Sequence, residues 1–499
     1  MLWPLAEFGN FPQWITILMW IADVAIRLLL LGIVPGNRRP ATAMAWLLII
    51  FFLPLPGLVL FLLVGSFRLG GQRRSRQEAV NEELREATEH LELPNEVGHA
   101  PEYVRSAAAL TRHLTGFPML DGSHFEFLTD YRQSLHRMAQ DIDGAQKYVN
   151  LIFYIFSEDP KDRQGYVSEV LQALERAQAR GVKVRVLFDH IATLRVTGYF
   201  SLKRRLREAG IEFHVTMPVR PLRGQYQRPD LRNHRKILVI DGEIGYTGSQ
   251  NLIEPGYKRR SAHAMGREWV DLMARVTGVT VTSLDVVFAT DWFAETGRHL
   301  LGELRMPTDE EYRRTEGTIA QVIPSGPGFV TENNLRLFNH LFYAAKHRLT
   351  VVSPYLVPDD SMLYAITTAA QRGVEVELFV CRKADQFMVQ HAQQSYYEAL
   401  LRSGVRIHRY PDPDVLHSKL FTVDDDVAVF GSSNMDMRSF SLNMEVSVML
   451  VGAESVDALT EVVEQYRQVS EELTLDEWLA RPRSHRWLDN VFRLTSALQ

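Results

Sequence analysis

Residues 234–251 read HRKILVIDGEIGYTGSQN, and residues 417–434 read HSKLFTVDDDVAVFGSSN. His, Lys, Asp, Gly, Ser and Asn stand at offsets 0, 2, 7, 14, 15 and 17 in both. The first set is His234, Lys236, Asp241, Gly248, Ser249 and Asn251; the second is His417, Lys419, Asp424, Gly431, Ser432 and Asn434. The intervening ILVI and LFTV are strand-like. Along a strand, residues i and i+2 face one side, so each His points with its Lys. Gly-Ser then ends a second strand, bringing a small hydroxyl and close-approaching backbone nearby.

The duplication extends outward from these stretches. ARGVKVRVLFD (residues 179–189) answers QRGVEVELFV (371–380), each an amphipathic helix ending in Gly and then a buried strand. REAGIEFH (207–214) answers LRSGVRIH (401–408), and LIFYIF (151–156) answers VVSPYL (351–356). Gly181 pairs with Gly373 and Gly210 with Gly404, at offsets of 192 and 194. Alternating strands and helices imply a mixed or parallel sheet covered by helices. The fold class is α/β, two duplicated mixed-sheet halves sandwiched by helices. Expected boundaries are 119–302 and 317–470 for the halves, joined through the charged, Pro307-bearing stretch 302–316, with a tail over 471–499.

Ahead of the repeat lie two apolar runs. Residues 14–34 are interrupted by Asp23 and Arg27, and residues 43–64 carry no charge. Each is long enough to cross about 30 Å of hydrocarbon. The first run lacks a basic start and a cleavage site, so it reads as an uncleaved anchor rather than a signal peptide. Asp23 and Arg27, four apart, share a helix face and pair. A two-helix membrane hairpin over 13–65 is expected, multi-pass, with Pro54, Pro56 and Gly57 bending the second helix so that a re-entrant form stays open. Arg38 and Arg39 in the connection are outnumbered by Arg68, Arg73, Arg74 and Arg76 beyond it, which puts the remaining chain on the cytoplasmic side. Residues 66–118 read as a polar, helical linker region, with an exposed acidic helix ending near Pro94.

Composition narrows the classes. A chain of 499 residues, 46% hydrophobic and 23% charged, is neither disordered nor a many-pass transporter. A net charge of −5 argues against a nucleic-acid partner, and the single Cys381 excludes a disulfide framework or a cysteine-rich zinc site.

The paired motifs ask for an anionic substrate. A lysine two residues from each histidine is a poor companion for a metal, so no metal and no cofactor are expected. Two Lys with Ser249, Asn251, Ser432 and Asn434 supply donors for phosphate oxygens. One His attacks phosphorus while the other protonates the departing oxygen and later deprotonates the acceptor. The residues alone leave the order of the two histidines open. Their titrations would be coupled.

HRKILVID and HSKLFTVD resemble the HxKxxxxD signature of the phospholipase D superfamily, intact and present twice. The resemblance implies two similar halves with the site between them, a phosphohistidine intermediate, His234 as nucleophile and His417 as general acid/base. It carries Asp241 and Asp424 in a more structural role. It also implies an acid on the imidazole: Glu445 in SLNMEVSV, with Asp271 as first-half counterpart and Glu268 as competitor. Residues 38–65, YTGSQNL, EWVDLMARVTG, QVIPSGPG, SPYLVPDD, GSSNMDMRSFSLNMEVSVML and the tail 476–494 are similar to the bacterial cardiolipin synthases. That narrower resemblance covers nearly the whole chain. It implies phosphatidylglycerol and cardiolipin as lipid partners, glycerol as co-product and the bacterial inner membrane as location, and it leaves a homodimer open. A phospholipase or phosphatidylserine synthase shares the motifs; a nuclease or an inactive scaffold fits the charge and the intact motifs less well.

Other residues carry two readings. Arg220, Arg223, Arg228 and Arg232 form either a basic lip for head groups or a solvated loop. Tyr154 and Tyr355 read as core aromatics ahead of a catalytic role, His190 as a packing or loop residue ahead of a third catalytic histidine, and Cys381 as filler. Trp478 and Trp487 either touch a bilayer or cap the core.

Overall fold

The computed structural model describes residues 12–36, 38, 40–65, 69–158, 165–220, 225–312 and 316–496. Arg39, Arg68 and Arg223, named above, lie outside these residues. The chain divides into two units, Met1–Arg68 and Leu69–Gln499.

In the first unit, α1 spans Gln13–Ile33, α2 Pro40–Phe52 and α3 Pro54–Val64. Asp23 and Arg27 pair at 2.7 Å along one face of α1. Among the described residues α1 alone is long and apolar enough to cross a membrane. The second run, expected as one bent span, is instead two short helices broken at Leu53 (φ −131°, ψ 69°), because a residue before proline is driven out of the helical region. The break is a reversal. Arg38, ahead of α2, donates to Gly65 O after α3 (3.3 Å) and lies over the Phe61 ring at 4.9 Å. Gly57 lets the arms approach, since a Cβ there would meet Ile49 O and Ile50 Cα at 2.9 Å. α2 and α3 are therefore a helical hairpin with both ends at one place.

Among the described residues the second unit holds one large sheet of fifteen strands in line, with the short strand Arg232–Asn233 paired beside them as a sixteenth. The first half supplies β1 (Met119–Leu128), β2 (Tyr148–Phe153), β3 (Lys183–Asp189), β4 (Glu212–Thr216), β5 (Lys236–Ile240), β6 (Ile244–Gly248) and β7 (Met273–Gly278). The second supplies β8 (Thr318–Ser325), β9 (Arg348–Val352), β10 (Glu375–Cys381), β11 (Arg406–Tyr410), β12 (Leu420–Val423), β13 (Val427–Gly431), β14 (Asn443–Val451) and β15 (Glu471–Leu473). The order is β15-β11-β10-β9-β12-β13-β14-β8-β1-β7-β6-β5-β2-β3-β4, so corresponding strands recur outward from the antiparallel β1–β8 seam. In each half the outer strands, β2-β3-β4 or β9-β10-β11, run parallel, and their apolar runs are buried.

Helices cover and join the halves. α4 is Gly71–Thr88, α5 Glu102–Thr115, α6 Thr280–Thr296, α7 Phe387–Arg402, α8 Ala453–Val469 and α9 Arg483–Arg493. One core cluster takes Ile237, Val239 and Val276 from the first half, Val322, Phe430 and Val448 from the second, and Leu284 and Phe288 from α6. The halves therefore share a core rather than meeting at a joint. The region expected as a linker also packs: α5 buries Val104, Ala107 and Ala108 against second-half residues Phe338 and Leu341, and Tyr103 donates to Asp426 at 2.7 Å. Arg73 pairs with Glu295 of α6, and Arg76 donates to the last carbonyls of that helix.

Each motif aspartate is a tie within its half. Asp241 (φ 55°) accepts the backbone N–H of Gln146, Lys147 and Tyr148 at 2.7–2.8 Å, holding the start of β2 to the β5–β6 turn. Asp424 (φ 49°) does the same for Lys346, His347 and Arg348 at the start of β9. Asp tolerates this left-handed backbone better than most residues. Asp241→Ala and Asp424→Ala should each cost roughly 2–4 kcal/mol of stability, because three N–H groups lose an ionised acceptor. Thermal unfolding of the purified chain would show the loss, while the folded fraction keeps its turnover.

Candidate active site

Register places the motif histidines at one end of the sheet. Phe153 pairs with Lys236 and Val352 with Leu420, so His234 and His417 lie past the C-terminal ends of β2 and β9. Each histidine is then held by the other half. Arg232–Asn233 runs parallel to Asn443–Met444, and His234 N donates to Met444 O at 2.8 Å. Trp269–Val270 runs parallel to Val415–Leu416, and His417 N donates to Val270 O at 2.7 Å.

The side chains cross in the same way. His234 Nδ1 meets Glu445 Oε2 of β14 at 2.9 Å, and His417 Nδ1 meets Asp271 Oδ1 at 2.6 Å. Asp271, not Glu268, is the first-half carboxylate on an imidazole. With Nδ1 committed, Nε2 of each ring is the nitrogen left for chemistry. Lys236 and Lys419 each donate one proton to the backbone oxygen of their own histidine. Two protons on each ammonium remain for a ligand.

The serines and asparagines divide differently from the sequence expectation. Ser249 Oγ donates to Asp271 at 2.6 Å and accepts from Leu272 N; Ser432 Oγ donates to Glu445 and accepts from Val446 N. Both hydroxyls are thus spent orienting carboxylates rather than offered to phosphate. Asn251 accepts from Ile155 N and donates to the Tyr257 hydroxyl, so its amide is also engaged. Asn434 differs: its buried Oδ1 has no hydrogen-bond partner among the described residues. Of these four, its amide is the one left for a ligand.

Three contributors escaped the sequence reading. Tyr154, read as core, sets its ring against His234 at 4.6 Å, with Lys236 Nζ 5.4 Å from the ring centre. Arg235, between the motif His and Lys, is fully buried. It pairs with Asp291 of α6 at 2.6 Å and donates to Glu445 O at 3.0 Å. Asp291 also takes the Asn233 amide at 3.0 Å. The available signal was the pair of acids Asp285 and Asp291 in the buried stretch of α6, where a charge is held only against a partner. Tyr355, by contrast, donates to Asp385. Arg232 is no lip residue either: it is buried against Asp189 at 3.2 Å.

Burial sets the charges. It pushes the His234 imidazole well below its ordinary range, and the ammonium groups of Lys236 and Lys419 add to the fall. Burial and Lys419 also lower His417, while Asp271 pulls the other way. Burial would raise Asp271, yet the charge and hydrogen bond of His417, with help from Lys419 and Ser249, hold it below the usual carboxylate value. Glu445 is pushed up to about 7 by burial, only partly offset by Lys236. Burial brings Lys236 down to about 7 and Lys419 to about 8. A phosphodiester anion between them supplies the charge that keeps both protonated. The halves are unequal: His234 is poised as a neutral imidazole, and His417, against an ionised aspartate, is the better proton holder.

Comparison with known proteins bears on what this geometry serves. A family profile described as "Cardiolipin synthase, PLD-like domain" matches residues 138–266 and again 339–467. Cardiolipin synthase A of Proteus mirabilis is 35% identical over 495 residues, spanning 97% of this chain and 99% of that protein. The chain belongs to the cardiolipin synthase family. Cardiolipin synthase A of Yersinia pseudotuberculosis is 34% identical over 500 residues, with the same coverage. A profile described as "Phospholipase_D-nuclease N-terminal" matches residues 17–66. Among solved structures, phosphatidylserine synthase of Haemophilus influenzae superposes with a TM-score of 0.59 at 16% identity, covering 79% of this chain and all of that one. That likeness is one of fold. As in its family, the chain is a membrane-associated phosphatidyltransferase handling phospholipids.

The protonation pattern gives a directional test. With His234 taken as nucleophile and His417 as proton donor, kcat/KM should rise as His234 loses its proton and fall as His417 loses its own. Asp271→Asn removes the charge that holds the His417 proton, so the alkaline limb should move to lower pH, each unit costing about tenfold above it. The acid limb should stay. A shifted acid limb in the pH–rate profile would exchange the two roles.

Proposed function

We propose that the chain condenses two phosphatidylglycerol molecules to cardiolipin and glycerol through a phosphohistidine. The observation that carries this reading is the crossed pair of imidazole–carboxylate contacts enclosed with two lysines. Nε2 of His234 attacks the phosphorus of the first lipid; an N–P bond forms, the P–O bond to glycerol breaks, and His417 protonates the departing alkoxide. The terminal hydroxyl of the second lipid then gives its proton to His417 and attacks phosphorus, and the N–P bond breaks. One phosphodiester linkage is exchanged for another, so no external energy source enters.

Lys236, Lys419 and the Nδ2 amide group of Asn434 hold the non-bridging oxygens, where charge is best met by preorganised donors. Glu445 and Asp271 fix the tautomers, and Ser432 and Ser249 fix the carboxylates. Burial of both histidines, 8% and 6% exposed, supports transfer over hydrolysis by limiting water at the intermediate. In detergent, phosphatidylglycerol alone should yield equal amounts of cardiolipin and glycerol. His234→Ala should abolish turnover, and His417→Ala should cost on the order of 10²–10⁴-fold. Lipid analysis showing phosphatidic acid instead would make water the acceptor.

The enzyme works from the bacterial inner membrane, with the catalytic unit cytoplasmic. α1 crosses once, and α2 and α3 dip in and return, because Arg38 and Gly65 meet. Arg38 then emerges on the same side as Arg73, Arg74 and Arg76, in keeping with the positive-inside tendency. Cysteines at Gly36 and Gly70 should react with an impermeant reagent from one side of the membrane, and one at Gln13 from the other. Labelling of Gly36→Cys and Gly70→Cys from opposite sides would mean two crossings.

A further inference from the structure

Large exposed apolar side chains also occur elsewhere on the catalytic unit, such as Met306 and Tyr364, but a group of them lies on segments leaving the histidine-bearing end of the sheet. Phe200 (76% exposed) and Leu194 follow β3, and Phe387 (63%) and Met388 follow β10, the equivalent place in the second half. Met265 stands between β6 and β7, in the short helix Arg260–Met265. On α9, Trp487 (67%), Val491 and Leu494 (85%) follow at spacings of four and three, along one face.

These segments touch in series. Lys258 Nζ donates to Thr197 O at 3.1 Å, two residues before the helix Tyr199–Glu208 that carries Phe200. The next residue, Arg259, pairs across the halves with Asp385 at 2.9 Å. Phe387 then sets its ring edge-on to Phe492 of α9 at 5.4 Å. Exposed apolar residues scattered singly are ordinary; a connected series around one end of a sheet is not.

The unpaired charge between them is mostly cationic, with Glu268 the exposed exception on the segment that carries Met265. Arg195, Arg260, Lys383 and Arg483 are exposed on these same segments, and none pairs with a carboxylate among the described residues. The carboxylate of α9, Asp489, is turned inward onto His391 (2.7 Å) and Arg481 (2.9 Å), so the helix shows only cationic charge outward. Apolar side chains flanked by guanidinium groups match the boundary of an anionic bilayer, where rings enter the acyl region and cations meet phosphates. Trp478, the other tail tryptophan, is buried beneath Arg481 and anchors the tail to the core.

We infer that this rim docks the catalytic unit onto an anionic phospholipid surface, seating the mouth of the histidine site against the head groups. The inference rests on the phospholipid reading of the substrate but not on which lipid is made. A docked mouth shortens the distance a head group must rise to reach buried histidines, and it serves both lipids in turn.

The test uses the full chain in nanodiscs of phosphatidylglycerol and phosphatidylcholine. The sole native cysteine, Cys381, is buried, so a polarity-sensitive fluorophore can be placed on Leu494→Cys or Phe200→Cys. Lys183→Cys, at the opposite end of β3, is the reference. Brominated acyl chains should quench the probes at 494 and 200 and leave the probe at 183 bright. Equal quenching at all three positions, or unchanged quenching in purely zwitterionic discs, overturns the proposal. This readout needs no turnover, so it stands or falls apart from the transferase assay. In kinetics, the double variant Trp487→Ser, Leu494→Ser should raise KM several-fold for disc-borne lipid and leave a monomeric short-chain lipid unaffected. Equal effects on both, or none on either, count against docking.

Discussion

An imidazole in a buried, lysine-lined site needs one ring nitrogen tied down if the other is to do chemistry, and here each motif histidine finds that tie in the opposite half. Glu445 reaches His234 and Asp271 reaches His417, at 2.9 and 2.6 Å. The exchange forces the rest of the architecture. Short parallel pairings must carry residues 232–233 to β14 and residues 269–270 to residues 415–416. The half-sheets must share a core around α6 and α8, and the β1–β8 seam must hold them in register. Half of such a chain, folded alone, would present a histidine without its carboxylate.

The two halves are not equal copies. Glu445 is pushed up to about 7 while Asp271 is held low, although both accept from a serine hydroxyl and contact an imidazole. Arg235 adds a difference. It bridges Asp291 to the backbone of Glu445, whereas the second motif has Ser418 in that place, bonded to the Tyr466 hydroxyl at 2.8 Å. Duplication supplies the frame, and divergence at single positions supplies the unequal proton affinities that a two-step transfer uses.

Much of this was legible because it is periodic. The repeated offsets give the two halves of the sheet, and alternation plus Gly181 and Gly373 gives the helix–strand joints. The acids that meet the imidazoles came from the family resemblance, with Glu268 still competing with Asp271; the crossing depends on how the halves pack. What escaped depends on partners distant in sequence. Ser249 and Ser432 look like phosphate donors until the carboxylates arrive beside them. Tyr154 looks like core until His234 is placed on its ring. Residues 102–115 look like linker because their apolar stripe is made mostly of alanine and threonine, and it acquires meaning only against Phe338 and Leu341.

The reversal at Leu53 bears on how the amino-terminal segment can exist in hydrocarbon. A helix start buried in lipid leaves backbone donors with nothing to bond, the usual obstacle to a turn at that depth. In α3 the first and third positions are Pro54 and Pro56, which have no N–H to strand. The fourth, Gly57, donates to Leu53 O at 2.6 Å, and Leu53 itself closes α2 by donating to Ile49 O at 2.8 Å. Among the backbone donors at the tip only the Leu55 amide is left over, while the carbonyls of Ile50, Phe51 and Phe52 that end α2 have no backbone donor among the described residues. Residues 40–65 contain no charge, and their two ends meet. Such a wedge can slip into one leaflet from the side on which it was made, with no charged loop to drag across and few backbone donors to desolvate.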